Sequence, residues 1–398
     1  MNIFEELRKS NDSIIIFGTR KIGQFLFSLC QKNEIKVSAF CEDKANDNID
    51  KSIGIKCESL ADVCSQYQNI TFIIAINSGQ DVVLSKIREK GNYNYILPFQ
   101  LYELDDIPTD FDFFTRNTLE SAYYFSKWYE DKNMMWLKYL DFVITERCSL
   151  KCKECSNLMQ YYQKPQDFSV EELKRQIDRL LEVYDRLYEL RLIGGEPFVN
   201  SEFAKVIEYI NEQPQILHIC IYTNGTILTK DDEMEIMKSG GKTWLSISDY
   251  GILSKNKEKL IEKCKHFGVE YELKSIDYWT HCSTFEKHNR SFEHLRKIYQ
   301  DCCVRNAITL IKGKIYPCPY IANGLNLHAL PDEPNNYVDL MKDVEISELR
   351  HEVKYCLFNR DSFSLCDYCN GRPYLNLREE DKIPPYEQTK SPLPYKEF

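Results

Sequence analysis

No apolar run in this chain approaches the length of a membrane span, and the opening MNIFEELRKSNDS lacks the charged-then-apolar order of a secretion signal. Basic residues are also short: 51 Lys and Arg stand against 61 Asp and Glu, and the best basic cluster, RCSLKCK, is brief. These absences exclude the basic footprint of a nucleic-acid binder and lead us to expect no membrane partner and a cytoplasmic location. In such a compartment thiols stay reduced, so sixteen cysteines call for an explanation other than disulfides. Clustered ones read as metal ligands or catalytic groups. Cys30, Cys41, Cys57, Cys64 and Cys264 are scattered and read as small core residues.

What the chain has is length and apolar content. Its 398 residues allow two or three domains, and 43% hydrophobic with 13% aromatic residues can fill packed cores. Alternating strands and helices predict an α/β protein. Over residues 1–100, SIIIFGTRKIGQFLFSLC reads as a strand, a turn at Gly18 and a helix with Ile22, Phe25, Leu26 and Leu29 inward. The strands VSAFCED, TFIIAINSG and YNYILPF follow, which predicts a small doubly wound sheet. Glu42 and Asp43 fall near the offset of a ribose-binding acid, but GTRKIG carries Arg20 where a dinucleotide fingerprint needs glycine. Residues 101–138 read as a linker and an aromatic-rich helix.

Residues 139–300 repeat strand then helix, with LDFVIT, ELRLI, HICIYT, TWLSIS and VEYELKSI as strands. Ser169 and Glu172 form a capping box for a helix with Leu173, Ile177, Leu180, Leu181 and Tyr184 on one face. This is the pattern of a partial barrel, too short for the closed eight-stranded form, with its distinctive residues just after strand ends. Residues 301–398 hold six cysteines in turn-rich stretches and need a staple, for which metal is the intracellular choice.

The loop after the first of these strands reads ITERCSLKCKEC, with Cys148, Cys152 and Cys155. Three thiolates on a [4Fe–4S] cubane leave one iron open to a chelating ligand. The CxxxCxxC spacing resembles that of the radical S-adenosylmethionine enzymes, in which the cofactor's methionine end occupies that iron. The resemblance extends to GGEP at the second strand end, YTNG at the third and SISDYG at the fourth. It implies a partial (β/α)6 barrel. It also implies that Gly194, Gly195, Glu196 and Pro197 hold the methionine amino group, that Thr223 and Asn224 line the site, and that Ser246 or Ser248 touches the ribose or carboxylate. Glu154 departs from the pattern by standing where the family commonly has an aromatic against the adenine.

A second set resembles the twitch form of the SPASM domain. In it Gly313 falls between the first two cysteines, and Cys302 or Cys303 (not both), Cys318 and the CDYC knuckle Cys366–Cys369 would hold one auxiliary [4Fe–4S] cluster. Taken alone, these four cysteines favour a zinc ribbon. Cys356 reads as packed. The N-terminal segment resembles Rossmann-like modules that accompany surface-polysaccharide biosynthesis.

The resemblance implies two [4Fe–4S] clusters, S-adenosylmethionine and an electron donor such as flavodoxin or ferredoxin. Reductive cleavage of the cofactor would give a 5′-deoxyadenosyl radical that takes hydrogen from a small-molecule substrate. The expected substrate is a carbohydrate, with dehydrogenation or epimerisation as outcome; Cys220 and Cys282 are the candidate hydrogen donors for the latter. A peptide-modifying maturase and a zinc-stapled scaffold without activity are the alternatives.

Overall fold

The strands at the centre of the first sheet, SIIIF and ITFII, are apolar runs rather than alternations, because helices cover both of its faces. The structure, a computed structural model, describes residues 3–44, 54–305, 307–373, 377–390 and 392–398. The chain divides into two units, Met1–Met134 and Met135–Phe398. The first contains α1 (Ile3–Lys9), β1 (Ser13–Phe17), α2 (Lys21–Lys32), β2 (Val37–Glu42), β3 (Cys57–Ser59), α3 (Leu60–Gln66), β4 (Ile70–Ile74), α4 (Gln80–Lys90), β5 (Asn94–Ile96) and α5 (Phe113–Glu130). The strands are parallel in the order β3-β2-β1-β4-β5. Ile14 and Ile16 of β1 enter one core while Ile15 and Phe17 enter the other. The aromatic-rich helix α5 adds Leu119, Ala122 and Tyr123 to the first of these cores.

The second unit opens with β6 (Trp136–Thr145), α6 (Val170–Val183), β7 (Arg186–Gly194), α7 (Phe203–Asn211), β8 (Ile216–Thr223), α8 (Asp231–Gly240), β9 (Thr243–Asp249), α9 (Lys257–Phe267) and β10 (Glu270–Ser275). These five strands lie parallel and adjacent in chain order. The Ser169 capping box is present: its Oγ accepts from Glu172 N–H, and Glu172 Oε2 accepts from Ser169 N–H at 3.0 Å. After β11 (Trp279–Thr280) and α10 (Phe292–Gln300), the sixth parallel strand is no sixth strand–helix repeat. It is β12 (Thr309–Ile311), which joins the far edge of β6. β13 (Lys314–Tyr316) returns antiparallel through Lys312 (φ 50°) and Gly313 (φ 75°), the pair of left-handed residues that a two-residue hairpin turn needs. α11 (Pro319–Asn326), β14 (Val338–Asp339), α12 (Ile346–Val353) and β15 (Lys382–Ile383), paired with β11, complete the unit.

Residues after 301 therefore extend an existing sheet, and Leu310, Ile315, Leu340 and Leu349 join the same core as Leu140 and Phe142. In that core Leu140, Phe142, Leu190, Leu192, Ile219, Ile221, Leu245 and Ile247 meet Leu173, Ile177 and Leu180 of α6. Side chains alternate along a strand, so intervening residues face the other way. The register places Asp141, Arg191, Cys220 and Trp244 side by side on that second face.

Candidate functional site

The ends of β6, β7, β8 and β9 meet around a cavity of about 250 Å³. Cys148, Cys152 and Cys155 line it, with Gly194 and Gly195 at the end of β7, Thr223 and Asn224 at the end of β8, and Ser248 and Tyr250 at the end of β9. Asp141 and Arg191, from the strands themselves, also line it. The structure thus brings together residues 46 to 102 positions apart from Cys148, because strand ends in a parallel sheet share one edge.

The two glycines are required by close approach. A Cβ on Gly194 would lie 2.1 Å from Thr145 O, and one on Gly195 would lie 1.9 Å from Arg147 O. Gly195 N–H donates to Thr145 O at 3.0 Å and Glu196 N–H to Arg147 O at 2.9 Å, stitching the β7 end to the root of the cysteine loop. Glu196 is fully buried and does not line the cavity. Its carboxylate accepts from Asn224 N–H at 2.8 Å, from Phe198 N–H at 3.4 Å and from the Thr223 hydroxyl. Burial pushes its pKa up to about 7 against these hydrogen bonds. Glu196 is thus placed to fix the β8 loop, and Pro197 is buried at the start of the following 3₁₀ turn. Asn224 Nδ2 in turn donates to Ser149 Oγ at 3.1 Å and approaches Cys148 Sγ at 3.6 Å. Ser246 is buried, and its Oγ has no hydrogen-bond partner among the described residues.

Burial raises the thiols of Cys148, Cys152 and Cys155, that of Cys152 to about 12, so metal binding must displace their protons. They line a cavity rather than converge on a point: among the described residues no three Cys, His, Asp or Glu side chains are placed to share one metal ion. Three thiols on a loop and a glycine-lined strand end pressed against it fit an iron–sulfur cluster with a small organic cofactor beside it, whereas Ser246 does not line the cavity.

Several residues here carried no motif. Gln388 clamps the cysteine loop from the far end of the chain: Lys151 N–H donates to its Oε1 at 2.6 Å and its Nε2 donates to Cys152 Sγ at 3.3 Å. Glu154, standing at the family's aromatic position, turns inward to accept from His281 Nδ1 at 2.6 Å and from the Cys282 and Ser283 N–H groups. The aromatic wall comes instead from Tyr250 and Trp279, whose ring centroids are 6.3 Å apart. Arg191 lies over the Tyr139 ring at 3.8 Å, donates to Glu189 at 2.7 Å and stands 4.0 Å from Asp141. Desolvation pushes Asp141 up to about 6, with Arg191 opposing the rise. The signal for this pair was legible: charged residues interrupt strands (LDFVIT, ELRLI) that are otherwise apolar.

Cys220 is buried beside Glu189 and Arg191, and Cys282 beside Arg372, but neither lines the cavity. The second cysteine set likewise shares a space without meeting at one point. Cys302, Cys318, Cys366 and Cys369 line one small cavity of about 30 Å³, whereas Cys303 does not line it and is exposed. Cys356 packs in the core. In the first unit, a cavity of about 850 Å³ opens where the strand order reverses between β1 and β4, lined by Gly18, Arg20, Lys21, Glu42, Asn77 and Ser78 among others. Glu42 there accepts from the Thr19 N–H and hydroxyl, while Asp43 pairs with Lys86.

Residues 142–249 match the model of the Radical SAM superfamily. The GTP 3′,8-cyclase of Aquifex aeolicus (strain VF5) is 26% identical over 148 residues, 36% of this chain and 44% of that protein. The GTP 3′,8-cyclase of Clostridium perfringens (strain SM101 / Type A) is 28% identical over 164 residues, 37% of this chain and 49% of that protein. The chain thus spans less than half the length of these relatives. Among solved structures, anSMEcpe with bound AdoMet superposes with a TM-score of 0.40 at 14% identity, over 63% of this chain and 93% of that one, too slight a likeness to argue from. On the match to its central strands and the thiols and glycines at their ends, residues 142–249 are a domain of the Radical SAM superfamily, whose cofactors are a [4Fe–4S] cluster and S-adenosylmethionine.

Proposed function

We propose that the protein is a radical S-adenosylmethionine enzyme that removes hydrogen from a small polyhydroxylated substrate, a sugar or a nucleotide- or carrier-linked sugar. One observation carries this reading: the cavity that holds the cysteine loop and the glycine-lined strand end also has the Asp141–Arg191 pair in its wall. When bound, the cluster and its cofactor supply one-electron cleavage to a carbon radical able to take a hydrogen atom from a C–H bond.

The chain's own part is binding, orientation and proton handling. Cys148, Cys152 and Cys155 would hold the cluster. Gly194, Gly195, Thr223, Asn224 and Ser248 would hold the cofactor, with Tyr250 and Trp279 beside it. Arg191 and Asp141 offer a donor fork and an acceptor to adjacent substrate hydroxyls. As hydrogen leaves a hydroxyl-bearing carbon, Asp141 is placed to accept the hydroxyl proton. Cys302, Cys318, Cys366 and Cys369 would hold an auxiliary cluster, which would supply an acceptor for the second electron. Because neither Cys220 nor Cys282 lines the cavity, dehydrogenation is favoured over epimerisation. In the first unit, by itself, the cavity at the β1/β4 switch point has Arg20 and Lys21 in its wall, which would suit a phosphate-bearing ligand. An electron carrier such as flavodoxin or ferredoxin completes the reaction. Two relatives named as GTP cyclases make a purine nucleotide the second substrate reading.

The test is anaerobic incubation of reconstituted, reduced protein with sugar nucleotides and, separately, GTP. 5′-Deoxyadenosine well above the substrate-free background with a sugar nucleotide, together with a carbonyl product, supports the proposal. Stimulation by GTP alone, or by a peptide alone, overturns the sugar assignment. A colourless, iron-free protein would be the zinc-stapled scaffold and overturn the whole reading.

A further inference from the structure

A buried guanidinium without an acid to pair with is left unexplained by the site described above. Arg372 follows the Cys366–Cys369 knuckle by three residues and is only 4% exposed. Its Nη1 donates to Ser156 Oγ at 2.8 Å and its Nη2 to Cys282 Sγ at 2.5 Å. Among the described residues its Nε has no acceptor and no carboxylate forms an ion pair with it. Desolvation acts most strongly against its charge, and the groups that oppose this are sulfurs, those of Cys282, Cys369 and Cys303. A hydroxyl and a thiol are poor substitutes for the water that a buried cation gives up. Such a charge persists in an interior only where an anion shares the site.

The surroundings say where that anion belongs. Arg372 lines the small cavity together with Cys302, Cys318, Cys366 and Cys369. Its carbonyl accepts the Cys303 N–H at 2.9 Å, which turns the Cys303 backbone toward the knuckle and leaves Cys302 in the cavity wall. On its other side, Ser156 follows Cys155 and lines the main cavity, so the guanidinium stands between the two cysteine sets. A cluster with four thiolate ligands carries net negative charge, and each added electron makes it more negative. A fixed cation in a low-dielectric setting therefore favours the reduced form.

We propose that Arg372 is the counter-ion of the iron–sulfur centre held by Cys302, Cys318, Cys366 and Cys369, a positioning residue that makes this centre easier to reduce. The inference rests on the reading of those four cysteines as an auxiliary cluster site.

The two readings separate in one series of full-length proteins. Cys148, Cys152 and Cys155 are first all replaced by alanine, and the protein is reconstituted anaerobically, so that remaining iron reports the second site alone. About four irons per chain are expected. Iron-free protein would overturn the cluster reading and the inference with it. Arg372→Met and Arg372→Lys are then made in that background and titrated with reductant under EPR detection. At the parent's midpoint, Arg372→Met should show at least a tenfold lower reduced-to-oxidised ratio, about 59 mV for one electron. Arg372→Lys should stay closer to the parent. Parental iron and an unmoved midpoint in Arg372→Met would overturn the counter-ion role. If Arg372→Met binds no iron, retention by Arg372→Lys upholds the need for charge; loss in both makes the residue a geometric support and overturns the inference.

Discussion

Replacing Gly195 by alanine should break the cluster site proposed at Cys148, Cys152 and Cys155 while leaving the one proposed at Cys302, Cys318, Cys366 and Cys369 intact. The added methyl would sit 1.9 Å from Arg147 O, 2.3 Å from Arg147 C and 2.8 Å from Cys148 N. Ordinary contact begins near 3.4 Å, so about 1.5 Å of clearance must be found. All three atoms are backbone, so no side chain can swing aside. Either the β7 end or the root of the cysteine loop must move, and both are tied by the Gly195 and Glu196 N–H bonds. Overpacking with somewhere to relax costs about 1–3 kcal/mol. With only backbone to yield, at least about 3 kcal/mol is expected, concentrated at the loop that carries Cys148. The assay is iron per chain after anaerobic reconstitution, read beside a denaturant midpoint. Gly195→Ala should lose about four of about eight irons. Gly241→Ala is the control: its Cβ meets nothing within 4 Å at φ 69°, so it should cost about 1 kcal/mol and keep its iron. Full iron with an unchanged midpoint in Gly195→Ala would refute the argument that close backbone approach fixes this site.

Three other outcomes are expected. Glu196 is held near 7 in the fold against an ordinary 4.5, so its contribution is present below pH 4.5 and lost as pH rises through 7, about 3 kcal/mol in all. Glu196→Gln should flatten that part of the stability–pH curve in denaturant titrations at several pH values; an unaltered slope would count against it. Cys302→Ala should remove about four irons and Cys303→Ala none, by iron analysis and Mössbauer spectroscopy, and the reverse pattern would mean that the exposed thiol is the ligand. Arg191→Lys and Asp141→Asn should each lower substrate-dependent 5′-deoxyadenosine formation at least tenfold while leaving S-adenosylmethionine binding within twofold. Equal loss of cofactor binding would move the pair from substrate to cofactor.

The cysteine loop, the GGEP, YTNG and SISDYG strand ends and the strand–helix repeats were all readable along the chain, because each is a local pattern. Periodicity fixes which side of a strand is apolar, and a loop's ligands lie within eight residues. Other parts were not readable. Glu196 carries a motif, yet only its contacts show the carboxylate turned to the Asn224 loop rather than into the cavity. The sixth parallel strand lies at the edge of β6 instead of following β10, since pairing across more than 160 residues leaves no mark in sequence spacing. Gln388 is an ordinary glutamine until the chain end crosses the cysteine loop.

By itself, then, the order of residues determined the chemistry on offer: three thiols on one loop, flexible backbone at the next strand end, and six more thiols in residues 301–398. Only the tertiary structure decided which groups share a space. It placed Cys302 rather than Cys303 with Cys318, Cys366 and Cys369, faced the Asp141–Arg191 pair into the cavity, and left Arg372 buried among sulfurs. The physical reason is that adjacency through space is set by strand register and core packing, which act between residues far apart in the chain, whereas motifs record only neighbours along it.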